Sequence, residues 1–313
     1  YDPITLMLGF NQNNYYRVGH AALVLINKKE SKAHYFDFGR YHAPFQHGRV
    51  RGELTDPGLT IETKARISEN ETEINNFREI LEELQRNHEC HGDGDLHAAY
   101  IPVDFEKAFH KATEMQDNSP IPYGPFKMKG SNCSRFVCTT ILAGKPAPKY
   151  AFRMKYLVFL TPTPLDNVHA LKYKDVVPKP FHQPVLRPTP FSHKGLIKTT
   201  LPEPQRHMHI PEKAQWLSGE GAGSWFLLEA SAEDHFCITR FSEGGEVEGK
   251  GLFRKAQETS FDIARSYRVE HLSHCSKVTV SQDGKYIEFH KINKAEESNE
   301  SLENAVECVA AED

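Results

Sequence analysis

Residues 130–137 read Gly-Ser-Asn-Cys-Ser-Arg-Phe-Val and place one cysteine, Cys133, at the start of a predicted helix. Ser131 is a favoured N-cap residue for such a helix. Apolar residues then recur at helical spacing, at Phe136, Val137 and Ile141. Gly144, followed by Pro146, marks the predicted end of the helix. Cys133 is therefore expected in the first helical turn.

A thiol in the first turn of a helix has unusual chemistry. The first backbone N–H groups of a helix have no partner within it, and the helix dipole is positive at that end. Both effects favour the thiolate, which is the nucleophilic form of cysteine. The sequence therefore predicts that Cys133 is a nucleophile.

A candidate base lies far upstream, at His20. Residues 18–26 are otherwise apolar or small and are typical of a buried strand. Imidazole accepts a proton near neutral pH, so a histidine near the start of such a strand can serve a nucleophile that it faces. A core histidine bonded to a backbone carbonyl would explain the same pattern.

The two segments together resemble the NlpC/P60-like branch of the papain-like cysteine hydrolases. The nucleophile segment of that family reads Pro-Tyr, a glycine-containing loop, then Cys-Ser-x-Phe-Val. The matching residues here are Pro122, Tyr123, Gly130, Cys133, Ser134, Phe136 and Val137. His20 precedes the cysteine, so the likeness is to the circularly permuted form, which includes relatives of lecithin:retinol acyltransferase with an Asn-Cys-x-x-Phe segment similar to residues 132–136. It implies an antiparallel sheet with helices and covers the first half of the chain.

In the permuted branch, a third polar group on the next strand orients the imidazole. That strand is predicted here at residues 33–40. A hairpin folded about residues 29–30 sets Gly39 opposite His20 and puts Asp37 diagonally beside it on the same face. A one-residue slip would exchange this carboxylate for other polar side chains, at His34, Arg40 and His42. Asp37 is predicted because a carboxylate stabilises an imidazolium; a solvent-facing aspartate on an edge strand is the alternative.

Residues 40–51 are rich in arginine, histidine and aromatic residues for a loop. Arginine binds carboxylates or phosphates through two parallel hydrogen bonds, so Arg40 and His42 are candidate substrate-binding residues. Tyr123 is a third candidate, since it is similar to the family tyrosine beside the nucleophile. A solvated loop with buried aromatic anchors, and a plain turn residue at Tyr123, are the alternatives.

Composition limits other classes of function. The 313-residue chain has a formal net charge of -4 and no polybasic surface for nucleic acid or membrane. No apolar run reaches the roughly 18 residues that span a bilayer, and no signal pattern opens the chain. The six cysteines lack the spacing of a disulfide scaffold and are expected to be reduced. A cytoplasmic location is favoured, although the chain opens on Tyr1 and a removed leader stays open.

Four segments are predicted: an α+β domain over residues 1–160, a proline-rich linker over 161–211, a small all-β domain over 212–292 and an acidic tail over 293–313. Ten of the nineteen prolines fall in the linker, which favours extended backbone. The all-β domain is predicted from short strands and an Asp283-Gly284 hairpin turn. Further elements expected in the first domain are a strand at 4–10, a helix from an Asn70/Glu73 capping pair to Asn87, a strand at 99–103, a helix capped by Asp104 and a strand at 156–160.

A group of histidine and cysteine side chains within ten residues could hold zinc, at His88, Cys90, His91 and His97. Their spacing matches no established zinc finger, and the neighbouring glycines suit a loop that ends a helix. No metal or other cofactor is therefore predicted.

The sequence as a whole predicts a thiol hydrolase that cleaves an amide bond in a peptide or peptidoglycan-type substrate. Cys133 would attack the carbonyl, His20 would take the thiol proton, and Asp37 would orient His20. Amide chemistry is favoured over lipid chemistry because no exposed amphipathic or long apolar segment is evident. A thiol acyltransferase or lipid hydrolase, and a catalytically silent ligand- or protein-binding module, are the alternatives. The β domain is the expected site for any protein partner; no nucleic acid and no membrane span is expected.

Overall fold

The computed structural model describes residues 11–12, 15–16, 19–90, 94–124, 127, 129–157, 163–179, 199–232 and 234–292. These fall into two compact units. The first contains the described residues of Tyr1–Gly39, Val50–Glu53 and Leu59–Lys198, and the second those of Arg40–Arg49, Leu54–Gly58 and Thr199–Asp313. The predicted order, an α+β part followed by an all-β part, is confirmed. The segment boundaries inferred from composition stay predictions.

The strands of the first unit are β1 (Asn11–Gln12), β2 (Tyr15–Tyr16), β3 (Ala22–Asn27), β4 (Lys32–Gly39), β5 (His47–Gly52, counted with this unit from Val50), β6 (Leu96–Tyr100), β7 (Ile121–Pro122) and β8 (Tyr173–Val177). Its helices are α1 (Phe77–Arg86), α2 (Phe105–Asp117), α3 (Cys133–Ala143), α4 (Pro148–Phe152) and α5 (Pro164–Ala170), with a π-helical turn at Arg153–Leu157. A short 3-10 turn covers Pro57–Leu59. None of the helices in the described residues is long and apolar enough to cross a membrane.

The β3–β4 hairpin lies in a four-stranded sheet of order β3-β4-β5-β7. Ala22 pairs with Asp37, which confirms the register predicted from a turn about residues 29–30. Because side chains alternate along a strand, one face of the hairpin packs on α2 and α3 and the other packs on α1. Both faces are covered, so β4 is buried along nearly its whole length.

Helix α3 begins at Cys133, which confirms that this residue lies in the first turn, and ends with Gly144 at the C-cap. Its N-cap is Asn132 and not Ser131: the Asn132 side chain accepts a hydrogen bond from the Arg135 backbone N–H at 2.8 Å. The predicted apolar face is buried, at Phe136, Val137 and Ile141. This burial holds the first turn, and the cysteine in it, against the sheet.

Two other helix predictions had different outcomes. Asp104 caps α2 as expected, since its side chain accepts from the Lys107 backbone N–H. Helix α1, however, begins at Phe77 after Asn76, so the Asn70/Glu73 capping pair is wrong. The Asn70 side-chain oxygen Oδ1 instead accepts hydrogen bonds within a turn, from Ser68 Oγ and from the backbone N–H and Oγ1 of Thr72. Asparagine favours turns as well as caps, and the turn prevails here.

The strand expected at 156–160 is wrong for Tyr156 and Leu157, which end the π-helical turn. The strand expected at 99–103 is displaced toward the N-terminus, since β6 covers Leu96–Tyr100. Extended backbone is also wrong for part of the proline-rich segment. Pro164 opens α5 at the first helical position, where a missing N–H costs nothing. Strand β8, in the same segment, is extended as expected and pairs with β6. The strand predicted at 4–10 lies outside the described residues.

The strands of the second unit are β9 (Gln215–Leu217), β10 (Ser224–Ala232), β11 (His235–Phe241), β12 (Val247–Lys255), β13 (Arg268–His274), β14 (Lys277–Gln282) and β15 (Lys285–Lys291). They form a nearly closed, barrel-like sheet of order β13-β14-β15-β12-β11-β10-β9. Gln215 joins the two edge strands, donating to Tyr267 O and accepting from Val269 N. The predicted tight turn is confirmed, with Asp283 and Gly284 both at positive φ.

The cysteines do not all match the expected reduced state. Four carry free thiols, at Cys90, Cys133, Cys138 and Cys275. Cys237, on β11, is disulfide-bonded, so the prediction is wrong for this residue.

A buried carboxylate joins the segment Leu54–Gly58 to the strands of the second unit. Asp56 receives two hydrogen bonds of 2.7 Å from Arg49 and one of 2.9 Å from Arg240, and the side chains of all three are at most 4% exposed. Glu248 lies 2.8 Å from Arg240 Nε, close enough for an ion pair but not aligned for a hydrogen bond. Two buried guanidinium groups therefore share Asp56.

We expect Asp56→Asn to lower the free energy of unfolding of the second unit by about 3–5 kcal/mol, because it leaves buried cations without their shared anion. Urea unfolding followed by tryptophan fluorescence measures this, since both tryptophans, Trp216 and Trp225, lie in this unit. Glu288→Gln is the control, because it removes a more exposed ion pair with Lys277 and should cost less than about 1 kcal/mol. Equal losses for the two variants would contradict the prediction.

Candidate active site

The Cys133 thiol is held at the N-terminal end of α3, where it is partly buried. It accepts a hydrogen bond from the Ala21 backbone N–H and is hydrogen-bonded to the His20 side chain. Its Sγ also lies 3.9 Å from Ser134 Oγ. The sulfur therefore meets two N–H donors and the positive end of a helix, and all three stabilise a thiolate.

The His20 imidazole bridges the thiol and a carboxylate. Its Nε2 lies 3.1 Å from Asp37 Oδ2, which leaves Nδ1 as the ring nitrogen for Cys133. His20 precedes β3, and the hairpin register carries it to the same face as Asp37. Its side chain is 38% exposed, so solvent reaches the ring. The structure thus brings together the three side chains that the sequence singled out as Cys133, His20 and Asp37.

The Asp37 carboxylate is completely buried and heavily hydrogen-bonded. Besides the contact with His20, it accepts from Tyr35 Oη at 3.2 Å and from Arg51 Nε and Nη2 at 3.0 and 2.6 Å. Arg51 also donates to the Glu89 backbone carbonyl at 3.0 Å, which fixes the guanidinium in place. The sequence reasoning missed both Arg51 and Tyr35 as partners. Arg51 could have been expected as a partner, because a buried carboxylate needs a cation beside it.

These contacts shift the pKa values of all three groups. Burial by itself raises the pKa of Cys133, but the hydrogen bond and charge of His20 outweigh it and the thiol pKa is lowered. Burial lowers the pKa of His20, yet Asp37 and Cys133 raise it to about 9. Burial raises the pKa of Asp37, but the charge of Arg51 and the bond to His20 hold it well below its usual range. The lowered thiol pKa and the raised imidazole pKa both favour the thiolate–imidazolium form of the pair.

The candidate substrate residue Tyr123 lies next to the nucleophile loop. It forms a bridge with Ser131, and its ring stacks on Phe38 at 5.5 Å between centroids. Arg40 and His42 belong to the second unit. Arg40 pairs with Glu220 at 3.1 Å, and both nitrogens of the buried His42 ring are engaged, by Arg49 and by Ser224. Substrate binding by these residues stays a prediction.

Removing the charge of Asp37 should change the titration of the thiol. Asp37→Asn removes the carboxylate whose hydrogen bond and charge raise the His20 pKa, so that pKa falls. The Cys133 thiolate then has no imidazolium beside it, and the thiol pKa rises by about one unit or more. The rate of iodoacetamide alkylation of Cys133 against pH measures this: the rise in rate moves to higher pH. Asp56→Asn is the control, because it also removes a buried carboxylate that binds arginine but lies in the other unit. A profile unchanged by Asp37→Asn would refute the coupling.

Two segments of the chain match known protein families. Residues 1–150 match the model of a family described as Type VI secretion system effector TseH-like, and residues 214–292 match that of the DUF6695 C-terminal domain. The TseH-like family is one of papain-like NlpC/P60 cysteine amidases. No curated protein and no solved structure matches the chain. The first half of the chain is therefore similar to papain-like cysteine amidases, which indicates an enzyme of the hydrolase kind.

Proposed function

We propose that this chain is a thiol-dependent hydrolase that cleaves an amide bond of a peptide or peptidoglycan-type substrate, with Cys133 as nucleophile, His20 as base and acid, and Asp37 as the group that orients His20. One observation carries the proposal: the His20 imidazole is hydrogen-bonded both to the Cys133 thiol, whose pKa is lowered, and to the buried Asp37 carboxylate. A nucleophile, a base and an orienting group in contact are the geometric signature of covalent acyl transfer.

In the first half of the reaction, the Cys133 thiolate attacks the amide carbonyl carbon. The carbonyl π electrons move to oxygen, and the backbone N–H of Cys133 with the positive end of α3 stabilises that oxyanion. The oxyanion collapses, the C–N bond breaks, and the His20 imidazolium gives its proton to the leaving amine. A thioester on Cys133 and a neutral imidazole remain.

In the second half, His20 takes a proton from water, and the resulting hydroxide attacks the thioester carbonyl. Collapse of the second tetrahedral intermediate breaks the C–S bond, releases the carboxylic acid and restores the thiolate and imidazolium. The partial exposure of His20 favours this reading, since water can approach the ring. This observation supports hydrolysis over acyl transfer to a second nucleophile.

Asp37 acts in this proposal mainly by orientation. Its hydrogen bond to Nε2 holds Nδ1 toward the sulfur, which selects the productive tautomer. Two hydrogen bonds from Arg51 neutralise much of its charge, so its field at the imidazolium is weaker than that of a lone carboxylate. The histidine-before-cysteine order belongs to the same proposal, because it is the order of the permuted branch.

The matched family supports the choice of substrate and setting. Its description names effectors of the Type VI secretion system, and a role as a secreted effector of the same kind is part of the proposal. Amide chemistry follows from the cysteine amidases of that family. The alternative of a catalytically silent module is disfavoured by the lowered pKa of the Cys133 thiol beside the raised pKa of His20, since a binding site needs neither shift.

We expect Cys133→Ala and His20→Ala to lower the rate of amide hydrolysis about a thousandfold or more, because each removes a member of one catalytic unit. Release of free amine from peptidoglycan-derived peptides, followed by mass spectrometry, measures the loss. Cys138→Ala is the matched control: this thiol lies on the same helix, and burial raises its pKa. Retained hydrolysis in Cys133→Ala, or equal losses in the two cysteine variants, would overturn the proposal.

A further inference from the structure

A short stretch of the first unit exposes aromatic and basic side chains together. We call residues 145–157 the basic aromatic segment; it contains α4 and the π-helical turn. Phe152, Tyr156 and Leu157 are 56%, 62% and 68% exposed. The Phe152 and Tyr156 rings lie 5.2 Å apart and form one patch, and Leu157 follows Tyr156 directly in the chain. Exposed apolar patches of this kind mark contact surfaces for proteins or membranes.

The segment is anchored to the unit by two buried side chains. Tyr150 and Met154 are 6% and 3% exposed, and the Cys138 thiol contacts the Met154 backbone carbonyl at 3.7 Å. All residues from Phe152 to Leu157 except Met154 are exposed. The turn is therefore held by one side chain, Met154, while its remaining side chains project away from the core.

The charge of the segment is uniform in sign. It carries four cations and no acidic residue, in a chain whose formal net charge is -4. These cations are Lys145, Lys149, Arg153 and Lys155. None of the four forms an ion pair with the described residues. Lys149 and Lys155 instead lie over the rings of Tyr150 and Tyr156, at 4.9 and 5.3 Å from the centroids. An anionic occupant would complement this surface.

We propose that the basic aromatic segment docks on the surface of an anionic phospholipid bilayer. Tyrosine and phenylalanine rings with leucine insert at the boundary of headgroups and acyl chains, while lysine and arginine extend their long stems to lipid phosphates. Lysine is depleted at protein–protein interfaces, whereas three of the four cations that flank these exposed apolar side chains are lysines, as in segments that lie on membrane surfaces. Three apolar side chains cover little area, so the binding is weak, reversible and sensitive to salt.

This docking surface is independent of the proposed amide hydrolysis. It differs from the sequence expectation, which found no exposed amphipathic segment and interpreted residues 156–160 as a strand. In a strand, Tyr156 and Leu157 would point to opposite faces of a sheet. The π-helical turn puts them outside instead.

Co-sedimentation of the full chain with vesicles tests the proposal. We expect binding to mixed phosphatidylglycerol and phosphatidylcholine vesicles at low salt, and little binding to pure phosphatidylcholine or at high salt. Tyr156→Ser with Leu157→Ser should weaken the partition coefficient by about tenfold or more. The matched control is Tyr286→Ser with Val247→Ser, a tyrosine and an aliphatic residue that are 70% and 60% exposed in the other unit. This control should bind as the wild type does.

Three outcomes would overturn the proposal. The first is no binding of the wild-type chain to anionic vesicles at low salt. The second is an equal loss in the patch variant and in the control. The third is equal binding to neutral and anionic vesicles, which would show that charge plays no part. Capture of an acidic protein by the wild-type chain but not by the patch variant, without vesicle binding, would assign the surface to a protein partner instead.

Discussion

The first unit depends on one buried charge, the carboxylate of Asp37. It is fully excluded from solvent, yet its pKa stays well below the usual range. A charge in such surroundings needs donors, and His20, Tyr35 and Arg51 supply four hydrogen bonds. The donors come from the segment just before β3, from β4 and from β5. The carboxylate therefore joins three successive parts of the chain and sets the direction of the imidazole.

The second unit also contains a buried carboxylate, but its partners are different. Asp56 is also buried, but the cations around it, Arg49 and Arg240, are guanidinium groups that do not lose their protons. Its network is therefore permanent and contributes to stability. Asp37 instead shares its charge between Arg51 and an imidazole that reaches solvent and can change its protonation state. Only the arrangement around Asp37 can take part in proton transfer.

Much of this arrangement was predictable because it rests on local patterns. The spacing of apolar residues after Cys133 predicts the helix and its buried face, and the turn about residues 29–30 predicts the pairing of Ala22 with Asp37. Errors arose where two local rules compete. Asn70 satisfies the rule for a helix cap and the rule for a turn, and Tyr156 fits both a strand and a helical turn. Each alternative is decided by packing against distant residues.

The sequence alone determined the local features: the apolar run of β3 and its pairing with β4, the helical spacing in α2 and α3, and the tight turn at Asp283 and Gly284. These follow from backbone geometry within a few residues, so no distant contact is needed to predict them. Only the tertiary structure decided that Arg51 neutralises Asp37, and that the aromatic side chains of residues 152–157 face solvent. Both depend on which side chains are buried. Burial is set by contacts between residues far apart in the chain, so it leaves no periodic pattern in the sequence.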